Sequence, residues 1–325
     1  MLKTYLFHEE NLRMTKIYEN RSVTRAVEKR SSIKKTSMKI DKNYGKLNFP
    51  DISNEESRPY FTGSIILSMD GRMGFENDPS SRTLARSNGF DPTEGLTDLW
   101  MVNVLRTFSD AIILGGATLH AEPDFTGHVY DPDLQQYRLG MPERFKPIPW
   151  NVLITRRPEK LPWDHPVLDT PEIPVLLVIP SDKAEEISLG AGKHFCYQRL
   201  KIEEKSDIMK VELLHDNMEA HLVVALPEID FPDWTLMMEL MNRLGIKQVT
   251  VESPYYIYEL MKNKMLDEVF ATQTGVYVGG NVMPGIKQGF STATAPLSNL
   301  VSIHLTGSNV LMTRQLLHYD RSKTK

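Results

Sequence analysis

The sequence predicts an α/β fold, with a twisted and mostly parallel β-sheet that ends in an antiparallel hairpin. Three observations support this fold class. Short apolar segments typical of strands alternate with amphipathic segments typical of helices, an order found in parallel sheets. Residues 111–114 are a continuous apolar run, as expected for a strand covered on both faces. Residues 300–305 and 309–316 flank a short polar turn and therefore predict the closing hairpin.

The first half of the chain contains a helix candidate between two strand candidates. The first strand is predicted over 61–69, where apolar and β-branched residues lead into the turn Asp70-Gly71. The helix is predicted from residues at helical spacing, which are Leu96, Leu99, Trp100, Asn103 and Val104. The strand at 111–114 ends at the pair Gly115-Gly116. Three more strands are predicted over 151–155, 174–179 and 221–226.

The second half contains the clearest helix signals. Asp233 can cap a helix that has an apolar stripe, and Gly245 supplies the stop at its C-terminus. Residues 247–252 then predict a strand, and Pro254 suits the first turn of the helix that follows. Residues 268–272 predict one more strand, which completes the order expected of a parallel sheet.

Charge is distributed unevenly along the chain. Residues 1–50 contain 12 Lys and Arg against 5 Asp and Glu, a net charge of +7, although the whole chain has a net charge of −4. Residues 21–46 contain few large apolar side chains, so we expect a basic, flexible or loosely docked N-terminal extension over 1–57. The alternative is an arm that binds nucleic acid or an acidic partner. One domain is predicted over 58–325, with a charged and peripheral insertion at 181–216.

Composition and motifs exclude several classes of function. The net charge of −4 argues against a dedicated nucleic-acid-binding protein. The single cysteine, Cys196, excludes a disulfide framework and a zinc site of paired cysteines, and no metal site is predicted. The sequence contains neither a phosphate-binding P-loop nor the nucleophile elbow of α/β-hydrolases. No segment is apolar enough to cross a membrane and no signal-peptide core is present, so we expect a cytoplasmic protein.

Four turns follow predicted strands, at the carboxyl ends where ligands of open α/β sheets bind. They are 67–72, 115–118, 252–254 and 277–281. Glycine turns let the backbone approach a ligand, and their N–H groups attract phosphate, while the N-terminus of a helix favours an anion. Each turn by itself is an ordinary loop feature. Because all four follow strands, together they predict an α/β protein that binds a small anionic ligand.

In order and spacing, these segments resemble the reductase domain of bacterial riboflavin biosynthesis, the RibD C-terminal type, from about Arg58 to Arg314. The segments that carry the resemblance are Ser68-Met69-Asp70-Gly71-Arg72, Arg106 to Thr118, Glu122-Pro123, Val249 to Pro254 and Leu266 to Gly280. None of these motifs is specific alone, whereas the ordered set is typical of the family. The resemblance implies a dihydrofolate reductase-like fold of three layers.

The resemblance also implies an activity. Members of this family are NADPH-dependent reductases that transfer hydride to a C=N or C=O group of a pteridine- or pyrimidine-type (ribosylamino) substrate. The activity implied here is similar to that of 5-amino-6-(5-phosphoribosylamino)uracil reductase. The family also implies a homodimer with a small-molecule substrate and no nucleic-acid or membrane partner. An alternative on the same fold is a non-catalytic module that binds a nucleotide or flavin.

Roles are carried over from the family to matching positions of this sequence. Asp70 and Glu122 would be the catalytic residues, and Glu252 would contact the substrate. The residues implied to bind the cofactor are Leu67, Gly115, Gly116, Thr118, Ser253, Pro254 and Tyr255.

The sequence departs from the family pattern at three places. Glu252-Ser253-Pro254 replaces Glu-Gly-Gly, which restricts the approach of the backbone to a phosphate and removes one N–H donor. Glu122 has a longer side chain than the aspartate usual at its position. His128 stands near the position of an arginine that binds the substrate phosphate in riboflavin-pathway members. These departures concern the substrate and the cofactor phosphates rather than the fold.

Overall fold

The computed structural model describes residues 2–12, 14–33, 37–52, 56–90, 93–141, 145–185, 187, 197–209, 221–229, 231–286 and 288–320. Within these residues, eleven strands form one sheet in the order β1-β10-β11-β9-β2-β8-β3-β4-β5-β7-β6. The strands are β1 Met14–Glu19, β2 Tyr60–Leu67, β3 Ala111–Gly115, β4 Trp150–Ile154, β5 Val175–Pro180, β6 Tyr197–Lys201, β7 His221–Leu226, β8 Gln248–Val251, β9 Glu268–Gln273, β10 Leu297–Thr306 and β11 Val310–His318.

The sheet has a parallel part and an antiparallel part. Strands β9, β2, β8, β3, β4, β5, β7 and β6 run parallel to one another, whereas β11, β10 and β1 add antiparallel pairs on the far side of β9. Strands β10 and β11 form the predicted hairpin, with Leu305 opposite Leu311. The mostly parallel sheet and its closing hairpin are therefore confirmed.

Helices cover both faces of the sheet. They are α1 Arg21–Arg30, α2 Met38–Asn43, α3 Ser81–Arg86, α4 Glu94–Phe108, α5 Gly116–Ala121, α6 Pro132–Leu139, α7 Pro166–Asp169, α8 Trp234–Arg243 and α9 Pro254–Lys262. Successive residues of a strand point to opposite faces. Phe61 accordingly packs in the core that contains α8 and α9, while its neighbour Tyr60 packs in the core that contains α4. The three-layer arrangement is confirmed.

The N-terminal extension is docked, and this corrects the expectation of a flexible or loosely docked arm. β1 pairs with β10 and extends the sheet, and the apolar side chains of Phe7, Ile40, Leu47 and Phe49 are buried in the α4 core. Each such side chain contributes roughly 1.5–3 kcal/mol when fully buried. These few apolar residues stand among many exposed polar ones, so the overall composition of the segment did not reveal that it docks. The domain boundary at residue 58 remains a prediction.

The segment predicted as a peripheral insertion contributes β6, which lies at one end of the sheet and pairs with β7. The lone cysteine, Cys196, lies outside the described residues, as do residues 210–220. None of the helices within the described part of the chain has the length and apolar character needed to cross a lipid bilayer. The described residues also contain no cluster of three potential metal ligands from His, Cys, Asp and Glu.

Candidate functional site

The carboxyl ends of β2, β8 and β3 lie side by side, because these strands are neighbours and run parallel. This arrangement brings together the predicted turns that follow them. A Cβ atom built on Gly115 would lie 2.9 Å from the Oγ of Ser253, so the turn after β3 and the start of α9 are in contact. The prediction that these two segments open on the same edge of the sheet is therefore confirmed.

The turn after β3 has two glycines with different constraints. Gly115 is the last residue of the strand and precedes α5, and the Ser253 side chain occupies the space that a Cβ would need. Gly116 begins α5, and a Cβ there would meet only Leu161, at an ordinary contact distance of 3.7 Å. Thr118 follows in α5 and is half-buried. A Cβ at position 116 would therefore be accepted at ordinary contact distance from Leu161.

The start of α9 is suited to an anion. Pro254 occupies its first turn, and Ser253 is the N-cap, but among the described residues the Ser253 side chain makes no capping hydrogen bond. Its hydroxyl lies against Gly115 instead. Backbone N–H groups at a helix N-terminus and the helix dipole both favour a negatively charged group. Tyr255, whose side chain is 52% exposed, stands beside this end and is accessible to a ligand.

Glu252 is held by an arginine. Its two carboxylate oxygens accept hydrogen bonds from Nε and Nη2 of Arg106, both at 2.7 Å, in the bidentate geometry that makes such pairs strong. Arg106 also donates to the backbone carbonyl of His128 at 3.0 Å, and only 1% of it is exposed. The pair therefore links α4, β8 and the segment around residue 128. A substrate contact by Glu252 remains a prediction and would involve a carboxylate that is already paired.

Asp70 fastens two loops together. Its carboxylate accepts hydrogen bonds from the Ser68 hydroxyl at 2.6 Å and from the backbone N–H groups of Val278 and Gly279 at 3.0 and 2.7 Å. These hydrogen bonds, that of Ser68 foremost, hold the pKa of Asp70 well below its usual range. Asp70 is consequently an ionised acceptor at neutral pH. Its geometry suits orientation of the site far better than donation of a proton.

A second carboxylate strengthens the same link. Glu76 accepts from the backbone N–H of Asn281 at 3.1 Å, and it fills the space above Gly280, where a Cβ would lie 2.8 Å from its oxygen. Gly279 and Gly280 have φ angles of 70° and 66°, a region that glycine adopts readily. The glycine turn predicted at 277–281 therefore exists, and it serves as a platform for the loop after β2.

The remaining predicted residues lie around this edge. Leu67 ends β2, is half-buried, and its carbonyl accepts from the N–H of Thr274. Glu122 follows α5, and its carboxylate accepts a hydrogen bond from the Ser81 hydroxyl at 2.7 Å. The Nε of Arg82 lies 3.1 Å from its other oxygen. The negative charge of Glu122 is thus paired with the positive charge of Arg82 on α3, and only 8% of Glu122 is exposed.

His128 does not take the place of the family's phosphate-binding arginine in this geometry. It is 4% exposed, and its Nε2 lies 2.7 Å from the backbone carbonyl of Lys3. Burial lowers the pKa of His128 to about 4, so the ring is neutral at physiological pH. Arg314 is likewise an internal residue, since it pairs with Glu268 and donates to the carbonyl of Asn48 at 2.8 Å.

Asp98, which the sequence interpretation passed over, lies in a cavity beneath α4. The side chains that line the cavity with it are Tyr44, Ser64, Met101, Leu105, Phe270, Ala271, Thr272, Met312 and Thr313. Burial raises the pKa of the Asp98 carboxyl to about 6, although a hydrogen bond with Thr272 acts in the opposite direction. The negative charge of Glu122 raises it further. Asp98 is therefore a carboxyl group that can hold a proton near neutral pH.

A signal for Asp98 was present in the sequence. Residues 98, 101 and 105 lie on one face of a helix, because residues three and four apart are neighbours there. Met101 and Leu105 are apolar, so an aspartate on their face stands out from a simple amphipathic pattern. Its partner Thr272 lies on β9, far away in sequence, and only the folded chain brings the two together.

Comparisons with known proteins agree with this architecture. The family model named RibD C-terminal domain matches residues 59–312. No curated protein matches the chain in sequence. A pyrimidine reductase-like protein of Corynebacterium diphtheriae has a similar structure, with a TM-score of 0.55 at 16% identity, covering 86% of this chain and 98% of the other.

Two larger proteins also contain a similar fold. RibD of Acinetobacter baumannii gives a TM-score of 0.54 at 16% identity, covering 82% of this chain and 60% of RibD. The Thermotoga maritima diaminohydroxyphosphoribosylaminopyrimidine deaminase/5-amino-6-(5-phosphoribosylamino)uracil reductase gives 0.52 at 10% identity, covering 81% and 57%. This chain therefore spans about three fifths of these two proteins.

Proposed function

We propose that this chain, which belongs to the RibD C-terminal domain family, is an NADPH-dependent reductase of the riboflavin-pathway pyrimidine reductase type. It would transfer hydride to a C=N or C=O group of a pteridine- or pyrimidine-type substrate that carries a ribosylamino group. The family membership and the shared fold support the reductase class. The site residues support the assignment of NADPH and of a heterocyclic substrate.

One observation carries the proposal. The sheet edge has an anion-favouring helix end beside a glycine turn, and Asp98, a carboxyl with a raised pKa, is close enough to Glu122 after α5 to be affected by its charge. Reduction of a C=N or C=O bond needs both features. The cofactor phosphates require the first, and the second supplies a proton to the nitrogen or oxygen atom when hydride reaches carbon.

The residues of the edge fit the cofactor. Contact between Gly115 and Ser253 brings the turn and the start of α9 together, and Thr118 and Tyr255 are accessible beside them. Gly116 leaves room for close approach of a phosphate to the backbone. When bound, NADPH supplies the hydride, and the protein provides binding, orientation and electrostatics.

The three carboxylates would then have separate tasks. Asp98 would donate its proton to the substrate atom that gains negative charge as the carbon atom accepts hydride. Burial, supported by the negative charge of Glu122, would keep that proton on Asp98 up to a pH of about 6. Asp70 would hold the loop after β2 against residues 278–279, which orients Leu67 at the nicotinamide end.

The proposal also includes a cytoplasmic homodimer, and light scattering would measure its mass directly.

The second candidate function is a non-catalytic module that binds a nucleotide or flavin. It is favoured by one observation, that Ser253 and Pro254 stand where the family has glycines, so the phosphate cradle has fewer backbone N–H donors.

The test compares wild type with Gly116→Val. A valine at this position adds bulk to the backbone that the phosphate would approach, and its Cβ would lie at an ordinary contact distance of 3.7 Å from Leu161. We expect Gly116→Val to weaken NADPH binding at least tenfold in a titration of nicotinamide fluorescence. Ala117→Val, at an exposed position of the same helix, is the matched control.

Turnover then separates the two candidate functions. Wild type should oxidise NADPH, followed by absorbance, when the 5-amino-6-(5-phosphoribosylamino)uracil substrate is present. NADPH binding without oxidation would favour the non-catalytic module. Equal affinity of wild type and Gly116→Val would place the cofactor elsewhere.

A further inference from the structure

The first residues of the N-terminal extension are bonded to the segment 126–130, which lies against Arg106. The family match begins at residue 59, so residues 3–7, here called the strap, lie outside it. The backbone N–H of Tyr5 donates a hydrogen bond to the carbonyl of Tyr130 at 2.9 Å. This backbone hydrogen bond ties the strap to one end of the segment.

A histidine side chain makes a second link between the strap and the segment. The Nε2 of His128 lies 2.7 Å from the carbonyl oxygen of Lys3. A carbonyl oxygen can only accept a hydrogen bond, so the ring proton is on Nε2 and the ring is the donor. Its Nδ1 is buried and has no hydrogen-bond partner in the described part of the chain, and burial lowers the pKa of His128 to about 4. The neutral ring of His128 is therefore fixed to the strap.

Apolar side chains anchor the strap on both sides. Phe7 is 2% exposed in the α4 core, and its ring meets that of Tyr5 edge to face, with 4.7 Å between centroids. Leu2, just before the strap, packs against the core that contains α5 and α7. The ammonium group of Lys3 lies 3.3 Å from Asp124, but both side chains are more than half exposed, and such pairs contribute little. The position of the strap therefore depends mainly on its buried apolar neighbours.

Arg106 connects the segment to the site. Its Nη1 donates to the carbonyl of His128 at 3.0 Å and lies 3.4 Å from that of Thr126, whereas its Nε and Nη2 hold both oxygens of Glu252 at 2.7 Å. The donors of a guanidinium group are fixed in one plane. The carbonyls on one side of Arg106 therefore help to set the direction of the donors that hold Glu252 on the other.

We propose that the strap positions Glu252 for the substrate, through the segment 126–130 and Arg106. Phe7 and His128 are then positioning residues, because the first anchors the strap and the second links it to the segment. The N-terminal extension becomes a working part of the site instead of an arm for a separate partner. This inference rests on the proposed function and on the substrate contact predicted for Glu252.

The test weakens the strap at two independent points. Phe7→Ala removes the anchor, and His128→Leu removes the hydrogen bond to the strap. His128→Gln is the conservative variant, because its amide N–H can reach the position of the imidazole Nε2. Met38→Ala is the matched control in the extension, since Met38 is 88% exposed on α2, away from the strap.

Steady-state kinetics with 5-amino-6-(5-phosphoribosylamino)uracil should separate positioning from general stability. We expect Phe7→Ala and His128→Leu to raise the KM for this substrate by about tenfold or more, as a small misplacement of a contacting group does. NADPH affinity, measured by nicotinamide fluorescence, should change less than threefold, because the turn after β3 and the start of α9 contact each other directly. His128→Gln and Met38→Ala should keep the KM of wild type.

The double variant Phe7→Ala/His128→Leu tests whether both residues act through one path. Its KM should exceed that of either single variant by less than threefold, because each change already releases the strap. A purely structural role would instead lower the stability in urea and the active fraction, and so kcat, while KM stayed constant. If Phe7→Ala does not fold, Phe7→Leu replaces it, with the same expected direction.

Hydrogen exchange tests the same path without turnover. Amide exchange at 126–130 and at 252–257 should accelerate together in Phe7→Ala and His128→Leu, and should match wild type in His128→Gln and Met38→Ala. Acceleration at 126–130 alone, or a KM within twofold of wild type in both strap variants, would overturn the inference. Wild type that never oxidises NADPH, with exchange coupled as expected, would contradict the proposed reductase function and leave the strap supported.

Discussion

The loop after β2 and the first turns of α4 each place an aspartate near the same edge of the sheet, yet the pKa values of the two carboxyl groups are shifted in opposite directions. Asp70 accepts hydrogen bonds from one hydroxyl and two backbone N–H groups, and these keep its pKa well below the usual range. Asp98 lies in a cavity beside one hydroxyl and near a second carboxylate, and burial raises its pKa to about 6. The comparison teaches that the balance between burial and hydrogen-bond donors around a carboxylate, more than its position near a site, decides whether it can hold a proton.

The largest expected effect is the loss of activity in Asp98→Asn. The amide has a similar shape but cannot donate a proton as an acid, so kcat should fall by about 100-fold or more. The KM for NADPH should change little, because the cofactor phosphates lie elsewhere. Steady-state kinetics would measure both constants, and a kcat within threefold of wild type would remove Asp98 from the mechanism.

The same variant should gain stability at high pH. The folded-state pKa of Asp98, about 6, exceeds the ordinary value of 3.8 for an aspartate, so the stability from its protonation is complete below pH 3.8 and is lost as pH rises through 6. Above that pH, wild type contains a partly buried and ionised carboxylate. Asp98→Asn should then be more stable than wild type, by at most about 3 kcal/mol at 1.36 kcal/mol per pKa unit.

Urea unfolding of wild type and Asp98→Asn at pH 4 and pH 8 would measure this gain. The two proteins should have nearly equal stability at pH 4 and differ at pH 8. A difference that is the same at both pH values would mean that the Asp98 side chain does not titrate as the structure indicates.

Asp70→Asn should have a smaller and different effect. The asparagine retains one acceptor oxygen, but the charge-assisted hydrogen bonds to Val278 and Gly279 are weakened. We expect the loops to become less ordered, the KM for NADPH to rise a few-fold and kcat to fall by less than tenfold. The pH profile of kcat should stay as in wild type. If kcat of Asp70→Asn no longer changed with pH around the pKa of Asp98, the donated proton would instead belong to Asp70.

Sequence patterns predicted the parallel sheet, the hairpin and the glycine turns because these depend on local periodicity and turn chemistry. They did not predict the docking of the N-terminal extension, since its few buried residues, such as Ile40 and Leu47, are diluted among polar ones. They also missed Asp98, because its raised pKa arises from burial in the folded chain and from the charge of Glu122, which is distant in sequence. Glu252 was predicted as a site residue, but its pairing with Arg106 was visible only in the fold.

The smallest expected effect concerns Glu122, whose negative charge acts on Asp98. Glu122→Gln removes a negative charge that raises the pKa of Asp98, while its amide oxygen can still accept from Ser81 or Arg82. The pKa of Asp98 should therefore decrease slightly, by less than burial raises it, because burial is the larger cause.

In wild type, kcat should decrease as pH rises through about 6, since the protonated form of Asp98 is the active acid. Glu122→Gln should displace this decrease to lower pH and leave kcat at its acidic limit nearly unchanged. Ser81→Ala, which removes a hydrogen bond to Glu122 but keeps its charge, is the matched control and should leave the midpoint in place. A midpoint that moves upward in Glu122→Gln would mean that the charge of Glu122 does not raise the pKa of Asp98. A loss of activity at every pH would make Glu122 the acid and Asp98 a residue that orients it.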